Sequence, residues 1–134
     1  MRVYIAGGWF TPEQEKAQMD IVLAVEGAGI ENFNPKVDSK PKRGWDSVYK
    51  TNLLEIQKAD IVIASTVGKD MGTLFECGYA TAAGTPVVYY APGLDGDFNL
   101  MLAKSARRVC TTVKELECAI EDGFISVEYK GEIE

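Results

Sequence analysis

Short runs of consecutive apolar residues alternate along this chain with stretches whose apolar residues recur at helical spacing. A short apolar run is typical of a buried strand, whereas the helical recurrence is typical of a helix that packs one face. Strands are expected at residues 3–6, 30–33, 60–64, 86–91 and 107–110. This alternation, without an internal repeat, predicts a single domain over residues 1–134. Its fold class is α/β, a doubly wound, flavodoxin- or Rossmann-like parallel sheet of five strands with helices on both faces.

The helices are marked by their ends as well as by their spacing. Thr11 and Gln14 form a capping-box pattern around Pro12, which predicts a helix that ends near Gly27. Further helices are expected at residues 45–59, 73–84, 98–105 and 112–122. Residues 34–44, which are rich in basic residues and proline, are interpreted as a mobile loop, either solvated surface or a flap over a site. Residues 123–134 are acidic and are expected to be extended.

Composition narrows the classes of function. The chain has 134 residues, 46% hydrophobic and 25% charged, which suits one globular core. No apolar run approaches the roughly 20 residues of a membrane helix, and the net charge of −6 argues against a nucleic-acid surface. Three cysteines at irregular spacing make neither a disulfide framework nor a zinc pattern, so a cytoplasmic protein is expected. Because histidine is absent, histidine-based catalysis and imidazole metal sites are excluded, and the chemistry falls to other side chains.

Polar residues that follow the strands are the first candidates for a site, because ligands of doubly wound sheets bind beyond the carboxyl ends of the strands. Three predicted loops leave those ends, at residues 7–11, 65–72 and 91–98. The first contains Gly7 and Gly8 but matches neither the dinucleotide-binding glycine pattern nor a P-loop. Trp9 and Phe10 follow directly, and they either stack on a base or fold back onto the core.

Two carboxylates lie in and after the second of these loops. Asp70 belongs to the loop, and Glu76 is expected in the first turn of the next helix. Each has a structural interpretation, since Thr73 and Glu76 form a capping-box pattern and a lone aspartate is typical of a turn. Together, two carboxylates at the mouth of an α/β sheet suit glycosyl chemistry, in which one is the nucleophile and the other the proton donor.

Four segments, in this order, resemble the nucleoside 2-deoxyribosyltransferase family. They are residues 4–11 (YIAGGWFT), residues 60–64 (DIVIA), residues 70–80 (the pattern D-x-G-T-x-x-E-x-G-Y-A) and residues 98–101 (FNLM). Together the segments span about residues 2–105, most of the chain. The resemblance implies an enzyme that moves 2-deoxyribose between purine or pyrimidine bases with retention of configuration and without a cofactor or a metal.

The resemblance also implies roles for particular residues. Glu76 matches the glutamate that attacks C1′ of the sugar, Asp70 an aspartate at the base, and Tyr4 the tyrosine that orients the nucleophile. Asn99 and Met101 match residues that reach into a neighbouring subunit's site, which implies a homo-oligomer built from dimers with shared sites. Substrate contacts are expected as well from four residues of the matching segments: Gly8, Trp9, Phe10 and Gly72.

Asn52 is the one departure that bears on substrate choice. It is a polar residue on the apolar stripe of the helix over residues 45–59. Many members of the family have an aspartate at the position that aligns with it, and others have asparagine. An amide bonds a base edge or a sugar hydroxyl but does not donate a proton as a neutral acid does.

Three functions stay open at this stage. The first is the deoxyribosyl transfer just described, with 2′-deoxynucleosides and free nucleobases as small-molecule partners. The second is an N-glycosidase on the same fold, which hydrolyses nucleosides or nucleoside 5′-monophosphates. The third is a non-catalytic nucleoside-binding module, which the joint presence of Tyr4, Asp70 and Glu76 argues against because binding alone needs no carboxylate pair. Neither nucleic acid nor a membrane is expected as a partner.

Overall fold

Five parallel strands form one sheet in the computed structural model, which describes residues 1–134. The strands are β1 (Arg2–Ala6), β2 (Glu31–Phe33), β3 (Ile61–Ser65), β4 (Val87–Tyr90) and β5 (Ala106–Cys110). Their order across the sheet is β2-β1-β3-β4-β5, and every neighbouring pair is parallel. This is the flavodoxin-like order, in which the winding reverses between β1 and β3. The predicted fold class is therefore confirmed.

Helices cover both faces of the sheet. They are α1 (Pro12–Gly27), α2 (Pro35–Asp38), α3 (Trp45–Lys58), α4 (Met71–Ala83), α5 (Leu100–Ser105) and α6 (Val113–Glu121). Because successive strand residues point to opposite faces, the sheet divides the core into two layers. One layer packs β1, β3 and β4 against α1 and α6, and the other packs them against α3, α4 and α5. None of the six helices combines the length and the hydrophobicity needed to span a bilayer.

The interpretation of residues 34–44 as a mobile loop is wrong in part. Helix α2 begins at Pro35, and its N-cap is Asn34, whose side chain accepts a hydrogen bond from the Lys36 N–H at 3.1 Å. A single 3-10 turn follows over Pro41–Arg43. Both prolines therefore occupy the first position of a helical turn, where the missing N–H costs nothing. Read without that context, the same prolines indicate a loop.

Helix α4 begins earlier than its sequence pattern predicts. Its first residue is Met71, and Asp70 is its N-cap, because the Asp70 side chain accepts a hydrogen bond from the Thr73 N–H at 2.9 Å. Glu76 consequently lies in the second turn, and the capping box between Thr73 and Glu76 is not formed. The prediction that Glu76 lies in the first turn is wrong, because the helix begins two residues earlier. The interpretation of this glutamate as part of a capping box is therefore wrong as well.

Two apolar segments differ in how they are covered. The stripe of α3 buries only Ile56, whereas Trp45 at the start of the helix is 77% exposed. The C-terminal segment, residues 123–134, is extended as predicted and lies against its own chain. Phe124 is buried, and the N–H of Phe98 donates to the Glu132 carbonyl at 2.9 Å. Phe124 belongs to the core layer of α1 and α6, whereas Tyr129 and Ile133 pack against the other layer, so this segment contributes to both.

Candidate active site

A cavity of about 520 Å³ opens at the carboxyl ends of β1 and β3, beside α3 and α4. Its volume is in the range of small-molecule sites, and its position is the one that the reversal of winding favours. Residues from four parts of the chain line it: the loop after β1, the start of α2, the middle of α3 and the start of α4. They are Gly7, Trp9, Phe10, Pro35, Tyr49, Asn52, Leu53, Asp70, Gly72, Phe75 and Glu76.

A carboxylate held by a buried phenol forms one side of this cavity. Tyr4 lies in β1 with its side chain on the α4 face, and its hydroxyl donates a hydrogen bond to Oε2 of Glu76. Burial, followed by the charge of Glu76, raises the pKa of Tyr4 well above its usual range, so the hydroxyl stays protonated and remains a donor. The bond fixes one carboxylate oxygen and leaves Oε1 with no protein donor.

Burial also acts on Glu76 itself. It raises the pKa of this carboxyl to about 7, the Tyr4 hydrogen bond opposes the shift, and the charge of Asp70 adds to it. A carboxylate that is partly desolvated and has one free oxygen is a stronger nucleophile than one in water. The arrangement therefore suits attack on an electrophilic carbon in the cavity.

Asp70 has a structural task as well as a place in the cavity. Its Oδ2 accepts hydrogen bonds from the Thr73 N–H at 2.9 Å and from Thr73 Oγ1 at 2.7 Å. Oδ1 makes no protein hydrogen bond, so one oxygen of the N-cap remains available to a ligand. Gly72 lines the cavity beside this carboxylate, and a Cβ there would make an ordinary van der Waals contact with Oδ2 of Asp70 at 3.5 Å.

Aromatic side chains from two directions give the cavity a surface for a flat ligand. Trp9 and Phe10 have ring centroids 5.4 Å apart, and Phe10 is 73% exposed, so the loop after β1 does not fold back onto the core. Tyr49 of α3 and Phe75 of α4 form a second pair, with centroids 6.2 Å apart. Such faces suit a heterocyclic base, which stacks on aromatic rings.

Asn52 lies in the cavity wall at a contact between α3 and the segment after α2. Its Oδ1 accepts a hydrogen bond from Ser39 Oγ at 2.8 Å, and its amide NH₂ has no protein partner. The serine therefore orients the amide so that the NH₂ is left for a ligand. A donor in that position pairs with a carbonyl oxygen or an unprotonated ring nitrogen of a base.

The structure brings most of the predicted site residues together, but not all of them. Gly8 lies against the Gln14 side chain and is not among the residues that line the cavity. Asn99 is the N-cap of α5, since its Oδ1 accepts from the N–H groups of Met101 at 2.9 Å and Leu102 at 3.2 Å. Neither Asn99 nor Met101 lines the cavity of its own chain, and Met101 is 72% exposed.

Five lining residues are not among the predicted site residues. They are Gly7, Pro35, Tyr49, Leu53 and Phe75, of which Pro35 belongs to the segment 34–44. Tyr49 and Leu53 belong to the apolar stripe of α3, which indicates core packing when the partner of the helix is unknown. Phe75 directly precedes Glu76 in α4, and an apolar residue next to a candidate nucleophile is the one signal that was available.

A second cavity, of about 560 Å³, lies between α1 and α6 on the other face of the sheet. Its lining includes Asp20, Leu23 and Glu117, and the Tyr90 hydroxyl donates a hydrogen bond to Oδ2 of Asp20 at 2.8 Å. A phenol bonded to a carboxylate is therefore present here as well, but no aromatic side chain lines this cavity, so it has no stacking surface for a flat ligand. No group of three or more His, Cys, Asp or Glu side chains is placed to share a metal ion.

Solved structures with the same fold include enzymes that act on nucleosides. A 2-deoxyribosyltransferase from Bacillus psychrosaccharolyticus superposes with a TM-score of 0.81 at 23% identity, over 96% of this chain and 99% of that one. The CMP N-glycosidase of Clostridium botulinum superposes with a TM-score of 0.61 at 22% identity, over 90% of this chain and 99% of that one. A 2-desoxiribosyltransferase from Leishmania mexicana superposes with a TM-score of 0.55 at 27% identity, over 78% of this chain and 71% of that one. A search of curated protein sequences finds no significant match.

The fold and the cavity thus define an α/β protein with a small-molecule site at the carboxyl ends of its parallel strands, and the solved structures share that fold. The family model for nucleoside 2-deoxyribosyltransferase matches residues 3–121, nearly the whole chain. The chain therefore belongs to the nucleoside 2-deoxyribosyltransferase family, and the resemblance found in its sequence is confirmed.

Proposed function

We propose that this enzyme transfers 2-deoxyribose from a 2′-deoxynucleoside to a free nucleobase through a covalent deoxyribosyl intermediate on Glu76. One observation carries the proposal. The Glu76 carboxylate is bonded on one oxygen to the buried Tyr4 hydroxyl, and it lines the same cavity as Asp70. Binding alone does not require two carboxylates, one of them partly desolvated, whereas displacement at an anomeric carbon uses both.

The first half-reaction follows from these positions. Oε1 of Glu76 attacks C1′, the bond between C1′ and the base nitrogen breaks, and its electron pair goes to the base. Positive charge develops on the sugar ring, and the carboxylate stabilises it before the new C–O bond is complete. Asp70 assists departure of the base by supplying a proton to a ring nitrogen. The products are a free base and an acylal ester of the sugar on Glu76.

In the second half-reaction the first base leaves the cavity and another enters. A ring nitrogen of the new base attacks C1′, the bond to Oε1 breaks, and Asp70 accepts the proton that the incoming base loses. Two successive displacements return the sugar to its original anomeric configuration. The Tyr4 hydroxyl keeps its hydrogen bond to Oε2 throughout, so it stabilises the negative charge of the Glu76 carboxylate as the bond to C1′ breaks.

Base recognition rests on the aromatic pairs and on Asn52. The rings of Trp9 with Phe10 and of Tyr49 with Phe75 offer faces for stacking, which is tolerant of base identity. The NH₂ of Asn52, oriented by Ser39, favours bases that present an acceptor at the edge it faces. Hypoxanthine, guanine and cytosine have such a carbonyl acceptor, and adenine has only ring nitrogens.

A product analysis tests the proposal directly. The enzyme is incubated with deoxyinosine and cytosine or adenine, and the nucleosides are separated by chromatography. Formation of deoxycytidine or deoxyadenosine, with deoxyribose transferred in the β configuration, supports a transferase. Parallel reactions with inosine should be much slower, because a 2′-hydroxyl crowds the attacking carboxylate and withdraws electrons from the developing cation. Comparable rates with inosine and deoxyinosine contradict the proposal.

Hydrolysis is the second candidate, and the likeness to the CMP N-glycosidase favours keeping it. Water then takes the place of the second base, and the products are a free base and a reducing sugar. The exposed basic residues Lys40, Lys42 and Arg43 are the candidate partners for a 5′-phosphate, and none of them lines the cavity. Release of sugar without an acceptor base, at a rate that added base does not change, identifies a hydrolase. A higher rate with the 5′-monophosphate than with the nucleoside identifies the nucleotide as its substrate.

A further inference from the structure

Gln14, in the first turn of α1, contacts two separate loops through one side-chain amide. Gln14 is only 5% exposed. Oε1 accepts hydrogen bonds from the N–H groups of Phe10 at 2.9 Å and Thr11 at 3.2 Å, and Nε2 donates to the Val67 carbonyl at 3.3 Å. The capping box of α1 accounts for the bond to Thr11 and for no other. The bonds to Phe10 and Val67 therefore need a different explanation.

Glycines from both loops leave room for this amide. A Cβ on Gly8 would lie 2.7 Å from Nε2 of Gln14, and a Cβ on Gly68 would lie 2.4 Å from the same atom. Gly68 also has a φ of +76°, a conformation that favours glycine. Two backbone segments thus approach the amide so closely that neither position accommodates a side chain without moving it.

The two loops carry opposite parts of the candidate site. The loop after β1 presents Trp9 and Phe10 to the cavity, and the turn Val67–Lys69 leads directly into Asp70, the N-cap of α4. We propose that Gln14 is a positioning residue, which holds the aromatic loop and the Asp70 turn at a fixed separation so that a base fits between them. This inference rests on the proposed function for its substrate, a 2′-deoxynucleoside. The claim that Gln14 holds the two loops in place does not depend on any activity.

The test begins with Gln14→Glu, which retains an acceptor for Phe10 and Thr11 but removes the donor to the Val67 carbonyl. We expect KM for the deoxynucleoside to rise about tenfold while kcat changes less than about threefold, since one buried bond is lost and the carboxylate Glu76 is untouched. A purely structural role lowers the active fraction instead, so that kcat falls and KM stays the same.

The matched control is Gln18→Glu, the same substitution one turn later in α1. Gln18 is also buried, but its Nε2 donates to Asn34 Oδ1 at 3.3 Å, and its side chain forms no hydrogen bond with either loop. Equal effects of the two substitutions on KM overturn the proposal, because they assign the effect to a buried charge in α1. If Gln14→Glu does not fold, Gly8→Ala replaces it, since this variant displaces the amide without changing Gln14, and the same rise in KM is expected.

Fluorescence separates this inference from the proposed function. The chain has two tryptophans, and Trp45→Phe leaves Trp9 as the reporter of the aromatic loop. In that background Gln14→Glu should increase acrylamide quenching of Trp9 about twofold, because loops that lose a buried tether open more often, and Gln18→Glu should not. This measurement needs no substrate. Unchanged quenching overturns the positioning role even in an active enzyme, whereas increased quenching in an inactive protein leaves it standing and rejects the function alone.

Discussion

At the scale of single residues, Glu76 meets two opposing demands. Burial favours its neutral form, and the pKa of about 7 reflects that, whereas the proposed attack on C1′ needs the carboxylate. The Tyr4 hydroxyl donates to the ionised form and lowers the pKa from what burial alone would produce. A carboxylate that is half ionised at neutral pH is nucleophilic and also little solvated, which is the balance a displacement at carbon requires.

The pH dependence of the first half-reaction follows from this balance. The rate of base release in a single turnover should rise with pH through a midpoint near 7, because only ionised Glu76 attacks. Tyr4→Phe removes the donor that stabilises the ionised form, so its midpoint should move to higher pH. Rapid-quench measurements of free base between pH 5 and 9 test both, and an identical midpoint in Tyr4→Phe contradicts the role assigned to Tyr4.

The same pKa makes a statement about stability. The folded pKa of Glu76 lies above the ordinary value of 4.5, so the folded state binds more protons between the two values. The contribution of Glu76 is therefore most favourable below the unfolded pKa and declines as the pH rises toward 7. The variant Glu76→Gln has no charge to bury. Its free energy of unfolding should therefore exceed that of the parent by about 1–3 kcal/mol at pH 8 and equal it at pH 4. Urea titrations at the two pH values measure it.

Glu76→Gln also separates the nucleophile from the fold. We expect transfer to fall about a thousandfold or more, since an amide forms no deoxyribosyl ester. Far-ultraviolet circular dichroism should be unchanged, because the substitution conserves volume in the second turn of α4. After the parent is trapped with a slow deoxyribosyl donor and digested, mass spectrometry should locate the adduct on the peptide that contains Glu76. Turnover within tenfold of the parent would falsify the assignment.

At the scale of elements, Asp70 joins the architecture of α4 to the chemistry of the cavity. One carboxylate oxygen caps the helix, and the other is free of protein donors. Asparagine caps helices about as well as aspartate, but it supplies no proton. The two tasks of Asp70 are therefore separable by a single substitution.

Asp70→Asn should retain the thermal stability of the parent while transfer falls by about 10²–10⁴-fold, the usual contribution of a general acid. Asp70→Ala is the comparison, because it loses the cap as well, at a cost of about 0.5–2 kcal/mol. A deoxyriboside with 4-nitrophenolate as its leaving group needs no proton, so Asp70→Asn should release that group at nearly the parent rate. Equal losses with both leaving groups reject the proton-donor role.

The elements that could be predicted from sequence are those whose formation depends on the residues of the element itself. The runs that became β1, β3 and β4 are apolar throughout, because both faces of a doubly wound sheet are covered. The start of α1 is marked by Thr11, Pro12 and Gln14, and the structure forms that capping box. Local chemistry decides these positions, and the fold does not override it.

Other positions depend on neighbours that the sequence does not reveal. Thr73 precedes Glu76 at capping-box spacing, yet Asp70 is the better cap and starts α4 two residues earlier. Gln14 is recognisable as a cap but not as a contact to Val67, which is 53 residues away along the chain. The lining residues Tyr49 and Phe75 look like core residues because an apolar stripe has the same spacing whether it meets a sheet or a ligand.

At the scale of the whole molecule, large apolar side chains remain uncovered near the cavity and on α5. The exposed residues include Phe10, Trp45, Met71, Leu100 and Met101. Isolated exposed apolar residues are common, but a group of them beside an open site indicates an interaction surface. A second copy of the chain is the partner we expect, because it would cover these residues and close the mouth of the cavity.

We therefore predict a homo-oligomer built at least from twofold dimers, in which Asn99 and Met101 of one chain complete the cavity of the next. Sedimentation at micromolar concentration should give a mass of at least twice the 14.7 kDa of the chain. Met101→Ala is preferable to Asn99→Ala as the probe, because Asn99 also caps α5. We expect Met101→Ala to lose most of its activity while the circular dichroism stays unchanged.

Mixing two defective chains tests whether the sites are shared. Glu76→Gln lacks the nucleophile but retains Met101, and Met101→Ala has the reverse pattern. After subunit exchange at equal amounts, half of the dimers are mixed, and each of these has one cavity with both residues intact and one with neither. Activity should therefore recover to about a quarter of the parent value for twofold dimers. No recovery after exchange has been verified by mass spectrometry, or full activity in a parent monomer, shows that one chain builds the cavity alone.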